Sequence, residues 1–145
     1  DTDRSRGLGD VYKRQILKEI HMKKILIVDD EQDIVESLKF VLEVSGYVCY
    51  TAYNGEDGLR LAKEIMPDLI ILDVMMPKIN GYKISRLLKY DSKYKDIPII
   101  MVTARSQLED KMIGEETGVN EYITKPFELD AIVKKVESYL GGGEE

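Results

Sequence analysis

A small set of polar residues stands directly after runs of apolar ones. Asp29 and Asp30 follow the run at 23–28, Asp73 follows 68–72, Thr103 follows 97–102 and Lys125 follows 121–124. If these runs are parallel strands, their carboxyl ends share one edge, where ligands bind in open α/β sheets. Carboxylates crowded together repel one another unless a cation joins them. These are hard oxygen donors with no His or Cys beside them, which favours Mg²⁺ or Mn²⁺ over zinc. Lys125 adds a fixed positive charge and Thr103 a hydroxyl donor. Such a group stabilises the oxygens of a phosphoryl group in flight, the main task in phosphoryl transfer. A carboxylate nucleophile in that setting yields an aspartyl phosphate. Asp73 is the best nucleophile, because it stands alone on a central strand, and Asp29 with Asp30 is the better metal pair. Taken singly, each residue has a bland alternative as a loop solubiliser or a cap, with Asp30 capping the first helix. Their joint occurrence at successive strand ends is what argues for a site.

The elements that must position them alternate along the chain. The run at 23–28 is rich in Ile, Leu and Val. Helical spacing through Ile34, Leu38, Val41 and Leu42 predicts a helix over 31–45, stopped by Gly46. A second strand over 47–52 precedes a helix over 55–66 that Pro67 ends. A third strand, 68–72, is almost wholly apolar. A helix over 82–90, a strand over 97–102, a fourth helix over 107–117 closed by Gly118, a strand over 121–124 and a last helix through Leu129, Ile132, Val133, Val136 and Leu140 complete the pattern. Alternating strands and helices predict an α/β fold. Continuously apolar strands predict a parallel sheet covered on both faces, and right-handed crossovers make it doubly wound.

Composition narrows the function classes. The 145 residues suit one domain, and 43% are apolar, enough for a sizeable core. The net charge of −6 argues against direct nucleic-acid binding, which wants a cationic face. No run is long and apolar enough to span a bilayer, and the N-terminus has no apolar signal region, so a cytoplasmic protein is expected. The single cysteine, Cys49, lies in a strand-like run and reads as structural. The single histidine, His21, precedes the domain, which removes Ser-His and Cys-His pairs and any internal phosphohistidine. Residues 1–21 read as a non-native or disordered extension. Within them 5–15 look more like translated adaptor read-through than a protein segment, and Gly7-Leu8-Gly9 is not a dinucleotide loop, since no strand precedes it. Met22 is the expected native start, 22–140 the domain, and 141–145 a glycine-rich tail or linker start.

Four separated motifs then carry a resemblance. Lys-Ile-Leu-Ile-Val-Asp-Asp-Glu (24–31), Asp-Val-Met-Met-Pro-Lys-Ile-Asn-Gly (73–81), Val-Thr-Ala (102–104) and Tyr-Ile-Thr-Lys-Pro-Phe (122–127) resemble, in this order, the receiver domains of two-component response regulators. The resemblance covers residues 23–140. It implies a flavodoxin-like sheet of order 2-1-3-4-5 with five helices. It also implies a switch module, not a conventional enzyme, that catalyses its own phosphorylation and dephosphorylation. Asp73 would take phosphate from a sensor histidine kinase or a histidine phosphotransfer protein. Asp29 or Asp30, Asp73 and the backbone carbonyl of Met75 would hold Mg²⁺, with Asp30 the direct ligand and Asp29 acting through water. Thr103 and Lys125 would contact the phosphoryl group. Tyr122 matches the aromatic that changes rotamer on activation, and Lys125-Pro126 matches the family's cis peptide bond, with Pro126 the cis proline. A downstream effector or a second copy would bind the face made by the fourth predicted helix, the fifth strand and the last helix.

The chain departs from the family at Thr117, where a small residue is usual, and at Glu115, where an apolar one is usual. Both lie on the fourth predicted helix. Met75 and Arg105 occupy positions that vary and affect phosphate lifetime, and Met75-Met76 also reads as plain loop packing. Two other classes compete. A Mg²⁺-dependent phosphatase with an Asp nucleophile would want that Asp and a second one two residues on, both after strand one. A flavin or nucleotide binder would want a Ser/Thr/Gly-rich loop there, whereas Asp29-Asp30-Glu31 repels phosphate without a metal.

Overall fold

The protein is described from a computed structural model over residues 9, 11–13, 22–104 and 119–141. Within these, five strands form one parallel sheet, β1 (Lys24–Val28), β2 (Val48–Ala52), β3 (Leu69–Asp73), β4 (Ile99–Ala104) and β5 (Glu121–Lys125). The spatial order is β2-β1-β3-β4-β5, as the resemblance implies. Four helices are described: α1 (Gln32–Val44), α2 (Gly55–Ile65), α3 (Gly81–Lys89) and α4 (Leu129–Leu140). The helix expected over 107–117, with Glu115, Thr117 and the preceding Arg105, lies outside the described residues, as do most of 1–21 and the end of the tail. Residues 9 and 11–13 are helical, with Val11 and Tyr12 exposed.

Strand pleating splits the apolar side chains into two cores. Ile25, Ile27, Leu69, Ile71, Ile100 and Val102 face one side, where Val35, Leu38 and Leu42 of α1 and Ile132 and Val136 of α4 cover them. Leu26, Val28, Ile70, Leu72, Ile99 and Met101 face the other, under Ala62 of α2 and Ile84 and Leu88 of α3. This is why the strands read as unbroken apolar runs: both faces are buried.

Helix ends follow local chemistry. Asn54 and Asn80 cap α2 and α3, their side-chain oxygens accepting from the amides of Asp57 at 2.8 Å and Lys83 at 3.0 Å. Gly46 follows α1 at φ 101°, the left-handed conformation glycine adopts without penalty. α2 stops one residue earlier than expected, because Met66 is left-handed at φ 50° before Pro67.

All five strands differ from their expected spans by one or two residues. The third runs to Asp73 rather than 72, and the fourth covers Ile99–Ala104 rather than 97–102. Ile97 belongs to the preceding turn, its amide donating to the Tyr94 carbonyl at 3.1 Å. Pro98 has no amide to give to a ladder. The Ile99 amide instead meets the side-chain oxygen of Asn120 at 2.9 Å, and the Ile99 carbonyl accepts from the Asn120 amide at 3.0 Å. Asp73, Thr103 and Lys125 therefore sit inside their strands, on hydrogen-bonded backbone.

The loop after β3 returns tightly to start α3. A Cβ placed on Gly81 would lie 2.4 Å from the Asp73 carbonyl oxygen and 3.0 Å from the Met101 sulfur. Gly81→Ala should therefore cost about 2–3 kcal/mol, the range of core overpacking. Gly141→Ala meets only open space at φ 74° and should cost about 1 kcal/mol, the ordinary left-handed penalty. Urea unfolding followed by far-ultraviolet circular dichroism measures both. Equal losses would show that the loop moves aside.

Candidate functional site

The carboxyl ends of β1, β3, β4 and β5 gather the polar residues singled out above. Asp29, just past β1, is 3% exposed. Its backbone is fixed by its amide's bond to the Ala52 carbonyl at 3.1 Å. Asp73 is 5% exposed and Thr103 1%. Asp30 is exposed beside them. One carboxylate oxygen from each of Asp29, Asp30 and Asp73 can be chosen so that all lie within 4.8 Å of one another.

Lys125 ties the group together. Its Nζ lies 3.1 Å from Asp29 Oδ2, 3.5 Å from Asp73 Oδ1 and 2.8 Å from Glu31 Oε1. Asp29 is held at both oxygens, since Oδ1 accepts from the Glu31 amide at 2.9 Å. Glu31 was not among the residues expected at the site. Its signal lay in the unbroken acidic run Asp29-Asp30-Glu31, but one sequence does not show that Lys125 would reach it across the sheet.

The electrostatics follow from burial. Loss of water pushes the Asp73 carboxyl up to about 7, the Asp29 charge adds to this, and Lys125 opposes it. A backbone bond from Met75 to Asp73 also lowers it. Burial raises the Asp29 carboxyl too, against the Glu31 amide and Lys125. Burial alone would favour neutral Lys125. Its bonds to Glu31 and Asp29 and the Asp73 charge outweigh that and raise its pKa. The site thus stores more negative charge than one ammonium compensates.

The remaining expected residues divide. The Thr103 hydroxyl donates to the Ala104 carbonyl at 3.3 Å and faces Thr124 in register. Tyr122 stands opposite Met101, half-buried against the core under α2 and α3. The Met75 side chain is 61% exposed, whereas Met76 is buried in that core, so only Met76 is loop packing. The Lys125-Pro126 bond is cis. Cys49 is buried, and its thiol is pushed up to about 12, chiefly by desolvation, which leaves it an unreactive packing group.

No helix among the described residues is long and apolar enough to cross a membrane. Residues 25–137 match the response regulator receiver domain family. The DNA-binding dual master transcriptional regulator RpaA of Synechocystis is 39% identical over 82% of this chain and 49% of its own length. Protein PilH of Pseudomonas aeruginosa is 37% identical over 83% of this chain and its own whole length. The chain spans about half the length of several of the curated relatives it matches, RpaA among them. Among solved structures, the Vibrio cholerae chemotaxis protein CheY4 superposes with a TM-score of 0.76 at 32% identity, covering 81% of this chain and 98% of that one. A five-stranded sheet of order β2-β1-β3-β4-β5, an acidic pocket at its carboxyl edge and a family match over most of the chain agree: this protein is a response regulator receiver domain, a module of phosphoacceptor signalling.

Proposed function

We propose that Asp73 is the phosphoacceptor and that Asp29, Asp30, Asp73 and the Met75 carbonyl form a Mg²⁺ or Mn²⁺ site. The observation that carries this reading is the buried Asp73 carboxylate, 3.5 Å from the Lys125 ammonium and clustered with two further carboxylates. The all-oxygen donor set fits a hard divalent cation. The upward displacement of the Asp73 and Asp29 carboxyls fits it as well, since burial strips both of water and a cation would favour their charged forms. A cation held there by Asp29, Asp30, Asp73 and the Met75 carbonyl would offset the carboxylate charge and polarise the phosphoryl oxygens.

One oxygen of Asp73 attacks phosphorus of a phosphohistidine on a partner protein, a sensor kinase or a histidine phosphotransfer protein. The P–N bond breaks, and the imidazole leaves with a proton from solvent. Lys125 and the Thr103 hydroxyl take the equatorial oxygens, spreading the charge of the transition state. Hydrolysis of the acyl phosphate resets the switch, so the domain catalyses its own phosphorylation and dephosphorylation. Residues 22–140, working in the cytoplasm, are the functional unit. The output goes to an effector or a second copy through the face next to β5 and α4, and the chain itself makes no direct nucleic-acid or membrane contact.

The Asp73 carboxyl, raised from its usual 3.8 to about 7, makes ionised Asp73 a destabilising group in the metal-free fold. Its folded form holds a proton that the unfolded form has lost, so metal-free stability should fall as pH rises from about 4 to about 7. Asp73→Asn should remove that slope, raise metal-free stability at neutral pH by roughly 2 kcal/mol, and abolish stabilisation by Mg²⁺. Thermal melts with EDTA and with Mg²⁺ read all three. Equal Mg²⁺ stabilisation of both proteins would remove Asp73 from the metal site.

Incubation with Mg²⁺ and acetyl phosphate should add one phosphoryl group, labile to hydroxylamine, by intact mass. Asp73→Asn should take none, because an amide is no nucleophile of this kind. Full labelling of that variant, or labelling at full rate in EDTA, defeats the assignment.

Thr103 links the acceptor to Tyr122. A phosphoryl group draws the Thr103 hydroxyl inward, space opens at the β4 edge and the Tyr122 ring turns into it, shifting a two-state population. Thr103→Ala should still label at Asp73 but lose most of the chemical-shift change around Tyr122 on adding beryllofluoride. Equal shift changes in both proteins would rule out Thr103 as the link and leave Tyr122 a packed edge aromatic.

A further inference from the structure

The shortest contact of the Lys125 ammonium is not to the acceptor. It is the 2.8 Å bond to Glu31, against 3.1 Å to Asp29 and 3.5 Å to Asp73. Glu31 occupies the N-cap position of α1 with extended backbone, at φ −89° and ψ 102°, yet its side chain makes no capping bond. The carboxylate turns away from the helix N-terminus, where a negative charge is welcome, and takes Lys125 instead. The contact joins the start of α1 to the end of β5. It borders a cavity of about 470 Å³ whose apolar wall is Ile34, Phe127 and Leu129.

The two partners are unequally buried. The Glu31 side chain is 59% exposed and that of Lys125 17%. An ion pair with one arm in water is weak and screened, so it is readily exchanged. A phosphoryl group on Asp73 brings nearly two negative charges and three strong acceptor oxygens to within reach of the same ammonium. Lys125 has only three donors, and Asp29, Asp73 and Glu31 already engage it. To serve the phosphoryl oxygens it must release its exposed partner first.

We infer that Glu31 is a positioning residue that competes with the phosphoryl group for Lys125, holding the ammonium on the α1 side of the pocket until Asp73 is modified. This rests on Asp73 being the acceptor. No new covalent step is involved. Glu31 opposes formation of the phosphorylated arrangement by the worth of its ion pair and favours its decay by the same amount. Once released, its carboxylate is free to turn toward the N-terminus of α1, where a negative charge is favourable, so the exchange at Lys125 reaches the first helix as well as the β4 edge.

The test is a double-mutant cycle of wild type, Glu31→Gln, Lys125→Ala and the double variant. Each is titrated with beryllofluoride at saturating Mg²⁺ and followed by NMR. Glu31→Gln keeps the length and the backbone bond to Asp29 while removing the charge. In the wild-type background it should tighten beryllofluoride binding about threefold to fivefold, the worth of an exposed ion pair. In the Lys125→Ala background it should change binding by less than the error. Equal tightening in both backgrounds would mean that Glu31 acts only as a negative charge near an anion, and overturns the inference. So does no tightening in either. Lys125→Met serves as the second background if the alanine variant loses its fold. If the wild-type protein neither binds beryllofluoride nor labels at Asp73, the acceptor reading falls. If it does both and the cycle is additive, only the role of Glu31 falls.

Discussion

The structure depends on one electrostatic constraint: the Asp73 carboxylate sits at the end of a buried central strand with Asp29 beside it. Two acids at 5% and 3% exposure are held out of water, and a single ammonium bridges them. Burial of unpaired charge is among the most expensive arrangements a fold can contain. The pair is tolerated because the surrounding backbone cannot rearrange to relieve it. Asp73 belongs to β3, between β1 and β4, and Asp29 is tied to β2 through the Ala52 carbonyl. The same frustration that weakens the metal-free fold is what makes the pocket receptive to positive charge and to a reaction that changes its charge.

Packing around that edge is correspondingly tight. Gly81 approaches the Asp73 carbonyl so closely that no Cβ fits, and its amide bonds to the Val74 carbonyl at 2.9 Å. The Val74 amide in turn reaches the Val102 carbonyl at 3.0 Å, so the loop after Asp73 is anchored to the strand that carries Thr103. A change in charge at Asp73 therefore acts on a stiff surrounding. The polar groups beside it are the buried Thr103 hydroxyl and, toward the rim, Lys125 and the exposed Glu31 carboxylate. A stiff frame with a few movable polar groups is a physical basis for two discrete states rather than a graded response.

Much was legible in the sequence, for reasons that can be named. β3 is buried on both faces, so Leu69 through Leu72 read as an unbroken apolar run, and the parallel sheet follows from that run and its neighbours. Gly46 and Pro67 mark helix ends because glycine takes the left-handed conformation without penalty and proline has no amide and restricts the residue before it. Asp29, Asp30, Asp73, Thr103 and Lys125 could be grouped before any coordinates, since a parallel sheet brings all its carboxyl ends to one edge. The start of β4 was misjudged by two residues. Ile97 and Pro98 look like strand, but the side chain of Asn120, far along the chain, decides where the ladder begins.

The amino-acid sequence by itself determined the fold class and the residue types at the pocket, because periodicity and strand-end chemistry are local properties, while the strand order was implied only by the resemblance that its motifs carry. Only the tertiary structure decided how those residues divide their contacts: that Lys125 leans to Glu31 more closely than to Asp73, that Met76 packs while Met75 is exposed, and that burial lifts the Asp73 carboxyl to about 7. Distances between side chains on different strands, and the water each one loses, are set by the packing of the whole sheet and its helices, and no stretch of sequence contains them.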